Sequence, residues 1–261
     1  MPARAKVNYS AALAAEYRRL YKSCAIRSEN FERVDRIVSE ILHNRPRYEK
    51  VSAETGVPWY LVAAIHSMES GLDFGRHLHN GDSLQFRTIH VPVGRPGEGE
   101  PPFTWEESAI DALRLRGLQR IEKWSLPRLL YEMEGYNGWG YRLYHQHVLT
   151  PYLWSGSHCY SSGKYVADGR WSDRARSRQI GAALIVRRLD ERDEISVEEG
   201  VEEPIFVYAL QERAYARTLQ TFLNTLPGIA LRVDGRPGEK TSDAVRSLFG
   251  FYLKGDPREV H

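Results

Sequence analysis

The segment Pro58-Trp59-Tyr60-Leu61-Val62-Ala63-Ala64-Ile65-His66-Ser67-Met68-Glu69-Ser70-Gly71 constrains this chain more than any other. Leu61, Ala64, Ile65 and Met68 recur at helical spacing, so the segment is expected to be a helix with an apolar face turned to a core. Glu69 falls on that face one turn after Ile65, and Gly71 supplies a C-terminal stop. A carboxylate that leaves an apolar face at the negative end of a helix is disfavoured in its charged form twice, by desolvation and by the helix dipole. Its pKa is expected to rise, and a carboxyl group that keeps its proton near neutral pH can serve as a general acid. The plainer reading is a solvated glutamate in the last helical turn, the usual fate of this residue type. The residues that follow decide between the two.

His77-Leu78-His79-Asn80-Gly81-Asp82-Ser83-Leu84 contains the turn pair Asn-Gly, and Arg87-Thr88-Ile89-His90-Val91-Pro92-Val93-Gly94 alternates like a strand. Together they read as a small β-hairpin that could carry Asp82 into a cleft facing Glu69, with Thr88 six residues beyond Asp82. Glu on the first core helix, then Asp and Thr six apart on a hairpin, resembles the Glu, Asp, Thr triad of phage-type lysozymes. The interval from Glu69 to Asp82, thirteen residues, is longer than that family usually shows. The pair Glu69-Ser70 closing a helix also resembles the Glu-Ser signature of lytic transglycosylases and goose-type lysozymes. In those relatives a Tyr-Asn element follows the glutamate helix and lines the glycan groove, and Tyr136-Asn137-Gly138 is similar to it.

These resemblances imply a mainly α (α+β) chain, with a lysozyme-like helical domain carrying a small β-hairpin. They imply glycan cleavage with Glu69 as acid, Asp82 as base and Thr88 holding water, and with Ser70, His79, Tyr136 and Asn137 at the substrate. No cofactor and no metal are implied. Glycoside hydrolysis uses one carboxylic acid to protonate the bridging oxygen and usually a second carboxylate on the opposite face, roughly 6.5 to 9.5 Å away in an inverting reaction. Asp82 can equally be a turn-capping aspartate. Glu69 would then act alone as acid and later base, and the product would be an anhydro sugar.

Two other classes compete. His66 with Glu69, His77 with His79, and His145 with His147 offer ligands for a zinc-dependent wall amidase or peptidase, although no third ligand with recognisable spacing accompanies them. A wall-binding protein without catalysis is the third class, and the presence of Glu69 argues against it.

At 261 residues, two domains are expected. The net charge of +2 conceals an asymmetry, because 190–204 holds eight acidic residues against Arg192 and leaves +9 on the rest. A basic body suits an anionic polymer such as the bacterial wall or nucleic acid. With no zinc finger, arginine-rich arm or stacking motif, peptidoglycan is the expected partner and nucleic acid is not. A monomer without a membrane span is expected. The N-terminus lacks a secretory apolar run, so the chain is expected to be made in the cytoplasm and to reach the wall by release or non-classical export. Cys24 and Cys159 could pair in an oxidising space, while two isolated cysteines are more often buried thiols.

Along the chain, the stretch from Tyr9 to about Lys50 has helical periodicity, with Ser28 as N-cap and Pro46 as a break. Thr104-Trp105-Glu106-Glu107 has capping-box spacing and opens a helix to about Gly117, and Ser125 with Pro127 opens another ending near Gly135. Val93 to Phe103, rich in Gly and Pro, is expected to rim the cleft. Aromatics crowd Tyr141 to Trp171, of which one or two are expected to touch ligand, and a helix is expected from Asp173 to about Arg188 after a turn at Asp168-Gly169. The catalytic domain is assigned to 1–189, an acidic linker to 190–204, and a second domain to 205–261. In the last, Leu219-Gln220, Leu223-Asn224, Val233-Asp234-Gly235, Gly238-Glu239-Lys240-Thr241 and Ala244-Val245 resemble the three-helix peptidoglycan-binding module. Thr241 is expected to cap a helix packed through Val245 and Phe249.

Overall fold

A computed structural model describes residues 7–167, 169–200, 206–213 and 215–259. The chain divides into two compact units, Met1–Gly200 and Val201–His261. The described residues are mainly helical, with one small antiparallel sheet among them. Among the described residues no helix is long and apolar enough to cross a membrane.

The first unit opens with α1 (Ala11–Ser23), α2 (Phe31–His43), α3 (Arg45–Thr55) and α4 (Trp59–Ser70). Ser10 caps α1 by accepting from the Leu13 amide, and Pro46 sits in the first turn of α3, where its missing N–H costs no helical bond. Ser28 begins a single 3-10 turn just ahead of α2 rather than capping α2 itself. A longer connection leads to α5 (Trp105–Leu115), whose N-terminus has the full reciprocal capping box of Thr104 and Glu107. Then follow α6 (Leu126–Asn137), α7 (Gly140–Tyr144) and α8 (Pro151–Trp154). Strands β1 (Lys164–Ala167) and β2 (Arg170–Ser172) pair antiparallel, with Lys164 opposite Ser172 and Tyr165 opposite Trp171. Helix α9 (Ala182–Glu191) completes the unit. It starts later than the expected Asp173, and the expected turn residue Asp168 lies outside the described residues.

Helix α4 is the axis of this unit. It packs on α3, α6 and α9, and Leu61, Val62, Ala63, Ala64, Ile65, His66 and Met68 are all buried. The sequence pattern pointed to one apolar face. The helix is enclosed nearly all round, as expected of a helix apolar on every side. Burying six apolar side chains, at about 25 cal/mol per Å², contributes on the order of 10 kcal/mol, so this element fixes the frame on which Glu69 sits. Close approach of α9 to α8 requires Gly181, where an added Cβ would stand 2.2 Å from the Leu153 carbonyl oxygen.

The expected hairpin over 77–94 is not there. One isolated antiparallel bridge, Arg76 to Ser83, marks a tight turn, and residues 87–94 form no strand. Two causes are visible. Pro92 and Pro96 bring no N–H to a ladder, and the Ile89 and His90 amides donate to the Asp82 carboxylate instead of to a neighbouring strand. The sheet of the unit lies at 164–172.

Of the expected acidic linker, residues 190 and 191 finish α9, and the chain through Gly200 belongs to the first unit. Ile195 and Val197 pack on its core, the Leu126 amide donates to the Glu198 carbonyl, and Arg18 Nε donates to that of Glu199. Residues 201–205 lie outside the described residues.

The second unit contains two α-helices among its described residues, α10 (Ala216–Leu223) and α11 (Glu239–Phe249), where three were expected. The chain after Gly250 runs as turns, in keeping with Gly255 and Pro257. Leu219, Leu223, Ala244, Val245 and Leu253 form its small core. Gln220 is the hub: its amide nitrogen donates to the Asp234 carboxylate, the Arg236 carbonyl and the Thr241 hydroxyl, and its amide oxygen accepts from the Gly235 N–H. Thr241 therefore does not cap α11, whose N-cap is Gly238, and Phe249 is half exposed rather than packed beside Val245.

Candidate active site

Glu69 is the penultimate residue of α4, half-buried, with Gly71 in the left-handed conformation closing the helix (φ 63°). Its Oε1 accepts a hydrogen bond of 2.9 Å from the phenol of Tyr152, the second residue of α8. Burial pushes the Glu69 carboxyl up to about 7, although the Tyr152 hydrogen bond and the nearby Arg116 guanidinium pull the other way. A carboxyl raised this far holds its proton toward neutral pH, the state a general acid needs.

Buried aromatic hydroxyls stand round it. Tyr136, buried in α6, donates to the Leu78 carbonyl at 3.0 Å, and burial together with the Glu69 charge raises its pKa. Tyr152 is raised well above its ordinary value by the same two causes. Arg116 lies over the Tyr136 ring at 4.4 Å and donates to the Tyr136 and Gly135 carbonyls, which anchors the end of α6.

Beside this group opens a cleft of about 540 Å³. Its walls include Asn137, Gly138 and Tyr141 from the α6–α7 corner, Pro151 and Tyr152 from α8, Lys164 and Tyr165 from β1, and Ser177 and Gln179. Asn137 is exposed. Gln179 donates to the Met68 carbonyl at 2.9 Å, so the last turn of α4 is tied to the cleft wall at two points, through Gln179 and through Tyr152. Glu69 stands one hydrogen bond behind the lining at Tyr152. Of the crowded aromatics, Tyr141, Tyr152 and Tyr165 line the cleft, while Trp154 and Tyr160 are buried and Trp171 stacks on His145 at 3.5 Å.

Asp82 occupies the other kind of environment. Its neighbour Gly81 is pressed against the end of α4: an added Cβ would lie 2.9 Å from the Glu69 carbonyl oxygen, and φ is +79°. The Asp82 carboxylate is fully engaged. Oδ2 accepts from Asn80 Nδ2 and from the Ile89 and His90 amides, and Oδ1 pairs with His90 Nδ1 at 2.7 Å. Burial would raise its pKa, but the hydrogen bonds from His90 and Ile89 win and hold it at about 2. Thr88 is buried, its hydroxyl donating to the Pro92 carbonyl and accepting from the Arg95 amide. Both groups hold the 80–95 loop in shape.

The remaining expected site residues are scattered. Ser70 donates to the His66 carbonyl at 3.4 Å. His79 is buried against Asp111 at 2.7 Å, and desolvation lowers its pKa to about 4 despite that carboxylate. His77 lies between Ser108 Oγ and the Phe86 carbonyl, and His66 between the Tyr48 phenol and the Asp73 carbonyl. None of these three histidines turns a nitrogen toward Glu69. One group of three potential metal ligands converges among the described residues, Cys24, His158 and Cys159.

Tyr152, Gln179 and Arg116 are the site residues that sequence reasoning did not single out as partners of Glu69. Tyr152 reaches Glu69 across 83 residues and Gln179 reaches Met68 across 111, separations at which no local pattern carries a signal. No family model, curated protein or solved structure matches this chain.

Proposed function

We propose that the first unit cleaves the glycan strand of bacterial peptidoglycan, with Glu69 as the general acid that protonates the bridging oxygen. The observation that carries this reading is a carboxyl group held near pKa 7 at the end of a buried helix, bonded to a tyrosine of the cleft wall. Asn137, Tyr141 and Tyr165 offer an amide and two aromatic faces along the wall, the groups that orient and stack on sugar rings.

The environment of Asp82 favours the single-carboxylate form of this chemistry. A general base needs a free lone pair and a pKa within reach of neutral. Asp82 has four hydrogen-bond donors and a pKa of about 2. Glu69 then acts twice, first giving its proton to the leaving oxygen and afterwards, as carboxylate, withdrawing the proton of the sugar's own hydroxyl as it closes the anhydro ring. The second unit, whose motif resembles a wall-binding module, would hold the first near its polymer and raise the local substrate concentration.

Digestion of purified sacculi followed by mass spectrometry of the soluble muropeptides tests both parts. Anhydro-ended fragments are expected from the wild type and none from Glu69→Gln. Reducing ends from the wild type would return the second carboxylate to the mechanism, and undiminished lysis by Glu69→Gln would end the proposal.

A further inference from the structure

Cys24 closes α1 and is buried, and Cys159 follows α8 and is partly exposed; both are thiols in the structure. The backbone sets them face to face. Ile26 pairs antiparallel with Ser157, flanked by the bonds from the Arg27 amide to the Gly156 carbonyl and from the His158 amide to the Ala25 carbonyl. Continuing that register outward places Ala25 opposite His158 and Cys24 opposite Cys159. A regular antiparallel pair at that position would have Cα atoms about 4.5 Å apart; here the Ala25 amide leaves the ladder for His158 Nδ1, so it is the sulfur positions that fix the approach. A disulfide spans Cα separations of about 4.4 to 6.8 Å. The side chains agree, since the two sulfurs and His158 Nε2 all lie within 4.8 Å of one another.

The same three groups could suggest a metal site. The histidine argues otherwise. His158 Nδ1 meets the Ala25 amide at 2.9 Å and the Ala25 carbonyl at 3.4 Å; the shorter contact, in which the amide donates, favours the neutral ring with its proton on Nε2, and Nε2 faces Cys159 Sγ at 3.8 Å. A ring nitrogen carrying a proton toward sulfur has no lone pair for a cation.

We propose that Cys24 and Cys159 form a reversible disulfide latch that joins the end of α1 to the segment carrying α8, closed by exchange with a small-molecule disulfide. In the first step Cys159 loses its proton to solvent and its thiolate attacks one sulfur of the external disulfide, forming a mixed disulfide and releasing one thiolate. In the second, Cys24 loses its proton and attacks the Cys159 sulfur, forming the internal bond and releasing the other. Two protein thiols are oxidised, the external disulfide is reduced to two thiols, and the two protons end on them. The order follows exposure, because only Cys159 is reachable from outside. Burial, with Cys24 beside it, pushes the Cys159 thiol up to about 12, so thiolate is scarce at neutral pH and closure is slow, accelerating about tenfold per pH unit.

The test is incubation of the reduced full-length protein with oxidised glutathione at mildly alkaline pH, followed by intact mass, non-reducing peptide mapping and thermal melting. The expected result is loss of two hydrogens, one cross-linked peptide pair containing Cys24 and Cys159, and a melting temperature higher by roughly 5–10 °C than that of the reduced protein. Two untouched thiols, or stable glutathione adducts on both residues, would overturn the proposal, and a cross-link that leaves melting unchanged would remove its role as a latch. So would Co²⁺ binding to the reduced protein with a sulfur-to-metal charge-transfer band that is lost in Cys159→Ser, since the cluster would then be a metal site.

Discussion

Glu69 and Asp82 sit on adjoining pieces of chain, Gly81 pressing on the Glu69 carbonyl, yet their surroundings drive them in opposite directions. Glu69 ends a helix enclosed by the core and receives a single hydrogen bond from a phenol, so burial dominates and its proton is held to about pH 7. Asp82 is also mostly buried, but two backbone amides, an asparagine amide and an imidazole are aimed at it, and its proton is gone above about pH 2. Desolvation acts on both. What separates them is the deeper burial of Glu69 together with the larger number of donors supplied to charged Asp82, and that number is set by whether the carboxylate lies at the end of a helix or in a loop that has no other use for its amides.

The largest effect that can break this comparison is on activity. Glu69→Gln is expected to lower the rate of sacculus digestion at least about 10³-fold, whereas Asp82→Asn should stay within about tenfold of the wild type at a temperature where both are folded. Equal losses in the two variants would make the acids partners rather than opposites.

Stability against pH sharpens it next, because the signs differ. Glu69 has a folded pKa of about 7, above the 4.5 of the free side chain, so the folded state binds more protons between those values and loses stability as pH rises through them. Glu69→Gln should therefore stabilise the protein by about 1–3 kcal/mol above pH 8 and by little below pH 4 in denaturant titrations. Asp82, depressed from 3.8 to about 2, contributes stability that is present above pH 4 and lost as pH falls through 2. Asp82→Asn should cost about 1–2 kcal/mol at neutral pH, a cost that shrinks toward pH 2. If both variants moved stability the same way across the titration, the donors counted round Asp82 would not be what distinguishes it.

The two regions were also unequally legible. Helix α4 and its stop at Gly71 followed from spacing alone, as did the capping box of Thr104 and Glu107, because those features are settled within one or two turns of chain. The 77–94 region has the sequence of a hairpin but not the structure, because its alternation of apolar residues is real but unused: Ile89, Val91 and Val93 are all exposed, and side-chain acceptors from Asp82 and Thr88 capture the amides a strand would have paired. Thr241 shows the same limit in the second unit, where a hydroxyl expected at a helix start is drawn inward by Gln220 from another helix. A side chain that bonds to a group distant along the chain leaves no period in the sequence. The contact from Tyr152 to Glu69 belongs to that class too, and so the environment of the acid was readable from its own helix while its partner was not.

Tyr152 provides the smallest and most discriminating test. Its hydrogen bond favours the ionised form of Glu69 and so opposes burial. A net hydrogen bond of roughly 0.5–1.5 kcal/mol corresponds to at most about one pH unit. Tyr152→Phe keeps the ring in the wall and removes only the hydroxyl, so the alkaline limb of the activity profile should move upward by up to about that amount, with activity persisting to higher pH. A tyrosine that merely packed the wall would scale the whole profile down without moving its limb. A limb displaced downward would mean that the phenol had been stabilising the protonated acid, and the contrast with Asp82 would then rest on the kind of hydrogen bond each carboxyl receives rather than on how many.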